Sequence, residues 1–312
     1  MQTNNELLKQ IGKPDLKYLG NGMQSRVFAL DDDYVLKVYG DDIGYDNIIR
    51  LKLFYESLDT KQVLFETPSI IDVQQVGGKI IVTEKRINGI CPNKKHLNTL
   101  PIKELKNYFR NYVDTLFDIQ KITTTFLKIA EPLDLKGDFF KYKKYNSWNE
   151  MLIYNLEVKF KESETIFNQK VNNIKYVYKA LKSKVAKLVI TSMTLIHGDF
   201  FPANSMVNAE YGITAILDFG ILTTVGDPIF DIALGWLFSD MYNEVTILDI
   251  KKYLKPFMQE RLTGEEKKRF DLYILVYSFI SANMYTTNDP TNGHFNWCIH
   301  NLNNEKYLGC LF

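Results

Sequence analysis

The stretch whose reading decides the fold is Thr194–Asp231, TLIHGDFFPANSMVNAEYGITAILDFGILTTVGDPIFD. Two of its acids sit at the ends of apolar runs: Asp199 closes LIHGD, and Asp218 closes AILD ahead of Phe219 and Gly220. Asn204 follows Asp199 by five positions, and the D-F-G triplet begins fourteen positions after Asn204. Taken singly, H-G-D reads as a turn and D-F-G as a strand end. Together, in this order and at this spacing, they form one constellation that chance rarely assembles.

Upstream the texture is different. Residues 15–90 read as short alternating or apolar runs, DLKYLG, SRVFAL, YVLKVYG, PSIIDVQQ and KIIVTEKR. Turn residues separate them: Gly20–Asn21–Gly22, Asp31–Asp32–Asp33 and Gly77–Gly78. This pattern predicts strands joined by tight hairpins. One stretch, about Asp46–Leu58, has apolar residues near helical spacing (Ile48, Leu51, Tyr55, Leu58) and predicts a helix. From about Pro101 onward the chain reads as helical, apart from strand-like runs near 194–218. The expected fold class is therefore α+β, with a small strand-rich lobe over residues 1–88 and a large, mainly helical lobe over 89–312. The run Ile87–Asn88–Gly89 offers the hinge between them.

Composition narrows the function classes. The 312 residues carry 38 Lys+Arg against 37 Asp+Glu, a net charge of +1, so no basic excess points to nucleic acid. A hydrophobic fraction of 46% and a charged fraction of 24% are ordinary for a globular chain and exclude disordered or collagen-like classes. Cys91, Cys298 and Cys310 are odd in number and lack metal-ligand spacing, which favours a reducing compartment. The opening MQTNNELLKQIG has neither a basic nor an apolar leader segment, and the apolar stretches Phe230–Phe238 and Leu272–Tyr285 are too short for a membrane span. A cytoplasmic protein without nucleic-acid or membrane partners is expected.

The H-G-D-x4-N…D-F-G constellation resembles the aminoglycoside-phosphotransferase and choline-kinase group, small-molecule kinases of the protein-kinase-like fold. The resemblance extends from the strand pair near Leu16 to the GDPIFD segment and is densest over 194–231. It implies a bilobal fold with its site in the cleft, ATP or GTP as phosphate donor, Mg²⁺ as cofactor and a hydroxyl acceptor. Asp199 matches the family's catalytic acid, which accepts the hydroxyl proton. Asn204 and Asp218 match its metal ligands, and an amide oxygen with a carboxylate suits magnesium. His197 is expected to brace the catalytic loop, and Asp231 resembles a family acid that buttresses that loop through backbone N–H groups.

The same resemblance assigns the nucleotide to the upstream half. GNGMQSRVFAL occupies the place of a loop draped over phosphates, with Gly20 and Gly22 allowing close backbone approach and Ser25 offering a hydroxyl. Lys37, inside the apolar strand YVLKVY, resembles the lysine that contacts the α and β phosphates. Its acidic partner should lie in the next helix, where Arg50 and Leu51 stand instead. Asp46 and Glu56 are the nearest acids, and Glu56 is the expected partner. KIIVTEKRING resembles the hinge that pairs with the base through its backbone, at Thr83, Glu84 and Lys85.

Only six residues, ILTTVG, separate D-F-G from Asp227, too few to hold a peptide substrate, so a small-molecule acceptor is expected. Glu150, Glu157 and Glu164 recur every seven residues on one helix stripe. They read either as a receptor for a polycationic aminoglycoside or as a solvated face balanced by Lys159 and Lys161. Where some aminoglycoside enzymes have an acid after the catalytic Asp, this chain has Phe200, Phe201 and Pro202. His96, His294 and His300 read as ordinary histidines, and Phe312 as a tail or a wall of the acceptor site. An antibiotic phosphotransferase, a metabolic kinase for choline, a sugar or an amino alcohol, and a catalytically silent nucleotide-binding regulator remain the three readings.

Overall fold

In the computed structural model, which describes residues 4–22, 24–40, 42–135, 145–239, 241, 250–285, 289 and 291–312, turn chemistry sets up the first sheet. A short helix α1 (Asn4–Gln10) precedes strands β1 (Lys17–Asn21), β2 (Ser25–Ala29) and β3 (Tyr34–Tyr39). The Asp31 carboxylate accepts the N–H groups of Asp33 and Tyr34 at 2.9 and 2.8 Å, closing the turn between β2 and β3. Helix α2 (Tyr45–Glu56) follows, then the two-residue strand β4 (Leu58–Asp59), β5 (Ile70–Val76) and β6 (Lys79–Lys85). Gly77 and Gly78, at φ 57° and 80°, supply the left-handed backbone that a tight hairpin between β5 and β6 requires. The strands pair antiparallel in the order β1-β2-β3-β6-β5.

Strand alternation gives this sheet two different faces. Phe28, Leu36, Val38 and Ile81 pack with Leu7 and Leu8 of α1 in a small core of their own. On the other face Tyr39, Val73, Ile80 and Val82 join Ile48, Leu51, Phe54 and Tyr55 of α2, in a core continuous with the helical part. Lys37 lies opposite Val82 and opens onto this second face.

The remainder comprises α3 (Lys94–Leu97), α4 (Ile102–Ile119), β7 (Thr123–Thr124), α5 (Trp148–Lys170), α6 (Ile174–Ala186), β8 (Thr194–Ile196), β9 (Ser205–Val207), β10 (Ile213–Ile216) and β11 (Thr224–Gly226). After these come α7 (Pro228–Phe238), α8 (Ile250–Arg261), α9 (Gly264–Ser281), α10 (Gly293–Leu302) and α11 (Glu305–Leu308). Helix α4 buries one stripe at three- and four-residue spacing, Leu105, Tyr108, Phe109, Tyr112, Val113, Leu116 and Ile119. Helix α7 is capped by Asp227, begins with Pro228 and is buried on all sides from Ile229 to Phe238. Thr263 and Glu266 form a capping box at the start of α9.

Short strand pairs join the parts. β8 pairs with β11, β9 with β10, and β4 reaches across to β7. The Glu66 N–H donates to Thr214 O at 2.8 Å, and Ile216 N–H donates to Glu66 O at 3.0 Å, so the sheet's connecting segment is bonded into the β9–β10 hairpin. Among the described residues no helix is long and apolar enough to cross a membrane.

His294 on α10 is buried, with its Nε2 2.9 Å from Ser281 O, and burial holds its pKa down at about 4. Because that value lies below the unfolded one, the unfolded chain takes the proton first. The stability contribution is complete above about pH 6.5 and is lost as pH falls to about 4, a loss of about 3 kcal/mol. Urea unfolding of His294→Gln should therefore show a weaker fall in stability between pH 7 and 4; an unchanged pH dependence would contradict it.

Candidate active site

The loop that follows β8 is held by a buried anion. Asp231, in the first turn of α7, accepts the N–H groups of His197 and Gly198 at 2.9 Å each. Burial pushes its carboxyl up to about 6, against the pull of those two N–H groups. Gly198 stands at φ 77°, and a Cβ there would lie 2.4 Å from the carbonyl carbon of Leu222. A Cβ on Gly220 would lie 2.3 Å from the Cβ of Asp199. The glycines of H-G-D and D-F-G are thus required by the approach of two backbone segments. Thr223 ties them further, donating from Oγ1 to His197 O at 2.5 Å.

The His197 ring is buried between the two motifs. The Asp199 N–H donates to Nδ1 at 3.3 Å, so the ring proton sits on Nε2, which donates to Leu217 O at 2.9 Å. The ring stacks on Phe219 with centroids 4.5 Å apart, and burial lowers its pKa to about 4. Both nitrogens are engaged with backbone in a neutral ring, an arrangement suited to bracing the loop.

Asp199, Asn204 and Asp218 are brought together by the same contacts. Asn204 sits in the 3₁₀ turn Pro202–Asn204 and donates from Nδ2 to Asp199 O at 2.8 Å and Oδ2 at 3.2 Å. Leu217 N–H donates to Asn204 O at 2.8 Å, which lays D-F-G alongside. The Asp199 carboxyl is pushed up to about 8, first by burial and then by the charge of Asp218. Asp218, at φ 47°, turns its carboxylate into the cleft with its side chain 56% exposed, and Lys37 holds it below the usual carboxylate range.

The donor set fits magnesium. With its amide nitrogen turned to Asp199, Asn204 keeps its amide oxygen as one hard donor, and the Asp218 carboxylate is a second. Among the described residues no group of three His, Cys, Asp or Glu side chains could hold a metal by itself. A cation here must therefore complete its shell with groups from elsewhere, as magnesium does with phosphate oxygens and water.

Lys37 brings the upstream half to this point. Its Nζ lies 2.9 Å from Glu84 Oε2 and 3.1 Å from Asp218 Oδ1. Burial alone would lower its pKa, but Asp218 and Glu84 outweigh that and raise it well above the usual value. Ser25 faces Tyr39 across the ladder and Val27 faces Lys37, so β2 presents Ser25 to the same face as the lysine. Gly20 faces Val27, and the Gly22 N–H donates to Ser25 O at 3.0 Å. A Cβ on either glycine would meet nothing within 4 Å, so the protein itself does not require glycine there.

Two expectations need correction. Glu56 does not approach Lys37: it is exposed at the end of α2 and pairs with Lys52 one turn back. The inward residues of that turn are Phe54 and Tyr55, which pack on Phe219 at 5.3 and 6.0 Å. Thr83 and Glu84 do not present free main-chain groups, because β6 is an inner strand bonded on both sides. Thr83 faces Leu36 and Asp72, and Glu84 faces Val35 and Ile70. Lys85 N–H donates to Ser69 O at 2.9 Å and its side chain pairs with Glu66 at 2.6 Å. The chain leaves the sheet only at Ile87–Gly89. KIIVTEK alternates, so Val82 and Glu84 share one face, but only the register of β6 on β3 makes it the face of Lys37.

The acidic stripe of α5 is engaged with its surroundings. Glu150 accepts from the backbone and amide nitrogens of Asn146, Glu157 pairs with Lys182 at 2.5 Å, and Glu164 with Lys175 at 3.7 Å. Phe200 is buried and stacks on Tyr112 at 4.9 Å, and Phe312 stacks on Tyr176 at 5.4 Å.

Against known proteins, the sequence model of the phosphotransferase enzyme family matches residues 15–255. No curated protein matches the sequence. Solved structures match in fold over almost the whole chain. The ADP-bound aminoglycoside phosphotransferase APH(2'')-Ib superposes with a TM-score of 0.60 at 18% identity, covering 98% of this chain and 97% of that one. The GDP complex of wild-type aminoglycoside 2'-phosphotransferase-IIIa gives 0.59 at 15% identity, covering 99% and 100%. The streptomycin–ATP–APH(2'')-IIa ternary complex gives 0.58 at 17% identity, covering 97% and 96%. At these identities the likeness is one of fold.

Replacing Asp231 with Asn keeps the shape but points an amide donor at a backbone donor. Asp231→Asn should cost about 3 kcal/mol of stability, the loss of one charge-assisted bond plus an unsatisfied N–H. Denaturant unfolding checks this, and a loss below about 1 kcal/mol would contradict the role given to the carboxylate.

Proposed function

This chain belongs to the phosphotransferase enzyme family, and we propose that it transfers the γ-phosphoryl group of ATP or GTP to a hydroxyl group of a small molecule. Residues 1–88 would hold the nucleotide and residues 89–312 the acceptor. The observation that carries this reading is the polar chain from Asp199 through Asn204 to Leu217, next to Asp218, and from Asp218 to Lys37.

Phosphoryl transfer asks a protein for positioning and charge neutralisation more than for covalent chemistry. In this reading Lys37 meets the α and β phosphates. Gly20 and Gly22 let the backbone come close to them, with the Ser25 hydroxyl as a further donor. Asn204 and Asp218 hold Mg²⁺, which when bound neutralises charge on the phosphates. Asp199 orients the acceptor hydroxyl and takes its proton as the new O–P bond forms and the bond to the leaving diphosphate breaks. Asn204 fixes which way this carboxylate points. The nucleobase would pair with main-chain groups at Ile87–Gly89, where the chain leaves the sheet. Cytoplasm, where ATP and GTP are abundant, is the inferred place of action.

For the acceptor, an aminoglycoside-type antibiotic is the first reading, supported by the fold likeness to enzymes of that kind. A specific observation favours a second, a metabolic alcohol such as choline, a sugar or an amino alcohol: Glu150, Glu157 and Glu164 already have partners within the protein. A silent regulator is supported least, since Lys37 has an acidic partner after all.

Nucleotide consumption measured against a panel of aminoglycosides and metabolic alcohols separates these readings. Asp199→Ala should lower acceptor-dependent turnover by about 10³-fold and leave ADP affinity within about twofold. Turnover undiminished in that variant would sink the assignment.

A further inference from the structure

We propose that Glu84 is the residue that positions Lys37, a role that places the lysine's acidic partner inside the sheet and not on helix α2. Resting on the nucleotide reading above, the inference concerns how the phosphate-binding cation is aimed. β3 and β6 are neighbouring strands bonded from Tyr34↔Lys85 to Val38↔Ile81, with Lys37 opposite Val82. Side chains of one parity share a face, so Glu84 stands diagonally across from Lys37, and its Oε2 lies 2.9 Å from Nζ. Glu84 is only 4% exposed and Lys37 is itself largely covered, with Tyr39 and Tyr55 buried around the pair.

Helix α2 supplies no competitor. Its Arg50 turns toward the segment beside D-F-G, donating from Nη1 to Leu133 O at 2.9 Å and from Nη2 to Pro132 O at 3.3 Å. Its terminal acid, Glu56, is held by Lys52 outside the cleft. A buried carboxylate is costly unless paired, and Lys37 is the cation it meets. The second oxygen of Glu84 has no hydrogen-bond partner, so the carboxylate is held through the lysine and not by a network of its own. Without it, Lys37 would be left with Asp218 alone, the acid that faces the metal in the reading above. Glu84 therefore keeps the ammonium on the sheet side of the cleft and leaves Asp218 to the cation. Because both partners ride on adjacent strands, the pair forms whenever the sheet forms.

The test compares affinities for ADP and adenosine, which differ only in the phosphates Lys37 would meet. Glu84→Gln keeps the shape and removes the charge. It should weaken ADP binding about tenfold with adenosine affinity unchanged, as Lys37→Ala should, and the double variant should bind ADP no worse than Lys37→Ala. Glu56→Gln should match the unaltered protein. The inference is overturned if folded Glu84→Gln binds ADP normally, if adenosine and ADP affinities fall together, or if Glu56→Gln gives the phosphate-specific loss. An unaltered protein that prefers GDP is tested with GDP and guanosine in the same way, and one that binds neither ADP nor GDP would sink the nucleotide reading, and this inference with it. Circular dichroism and the unfolding midpoint establish that each variant is folded.

Discussion

A single buried carboxylate organises the cleft. Asp231 is out of water, where an anion is costly, and what offsets that cost is the pair of backbone N–H groups it receives together with its place in the first turn of α7. Once those two N–H groups are fixed, Gly198 must take a left-handed backbone, and Thr223 and Gly220 close onto the carbonyl of His197. The imidazole then has one arrangement, accepting from Asp199 and donating to Leu217. Each of these contacts places the next acid. Asp199 and Asp218 reach the cleft from two strands that share neither sequence nor ladder, and the histidine and Asn204 are what hold those strands in register.

The chain of contacts also explains why the two parts of the molecule are coupled. Phe219 of D-F-G is sandwiched between the His197 ring and the aromatic end of α2, Phe54 and Tyr55. Arg50 fastens the same helix to Leu133, whose own N–H donates to Thr223 O at 2.7 Å. Helix α2 is thus a packing element between sheet and catalytic loop. The charge that a helix acid would have supplied to Lys37 comes from a strand.

Much of this was legible in the sequence because it is local. The runs SRVFAL, YVLKVYG and KIIVTEKR alternate and are bounded by Asp and Gly turns, and they became β2, β3 and β6. The helix expected at Asp46–Leu58 spans Tyr45–Glu56. H-G-D, Asn204 and D-F-G announced a cleft because each glycine and acid has a backbone reason to be there. What the sequence hid is nonlocal. The partner of Lys37 depends on the register of β3 against β6, strands separated by α2 and β5, and no spacing along the chain reports it. The heptad of Glu150, Glu157 and Glu164 defines a stripe, but only the packing of α5 on α6 reveals that lysines face part of it. Strands as short as β4 and β7 carry no pattern at all.

In the proposed reaction nucleotide and metal meet at Asp218 and Asn204, and each strengthens the hold on the other. Electron paramagnetic resonance of Mn²⁺, with and without ADP, tests this most directly. The protein should take up Mn²⁺ strongly only when ADP is present, and Asp218→Asn should remove this uptake while the fold is retained. Mn²⁺ binding that is indifferent to ADP, or that persists in the Asp218→Asn protein, would contradict it.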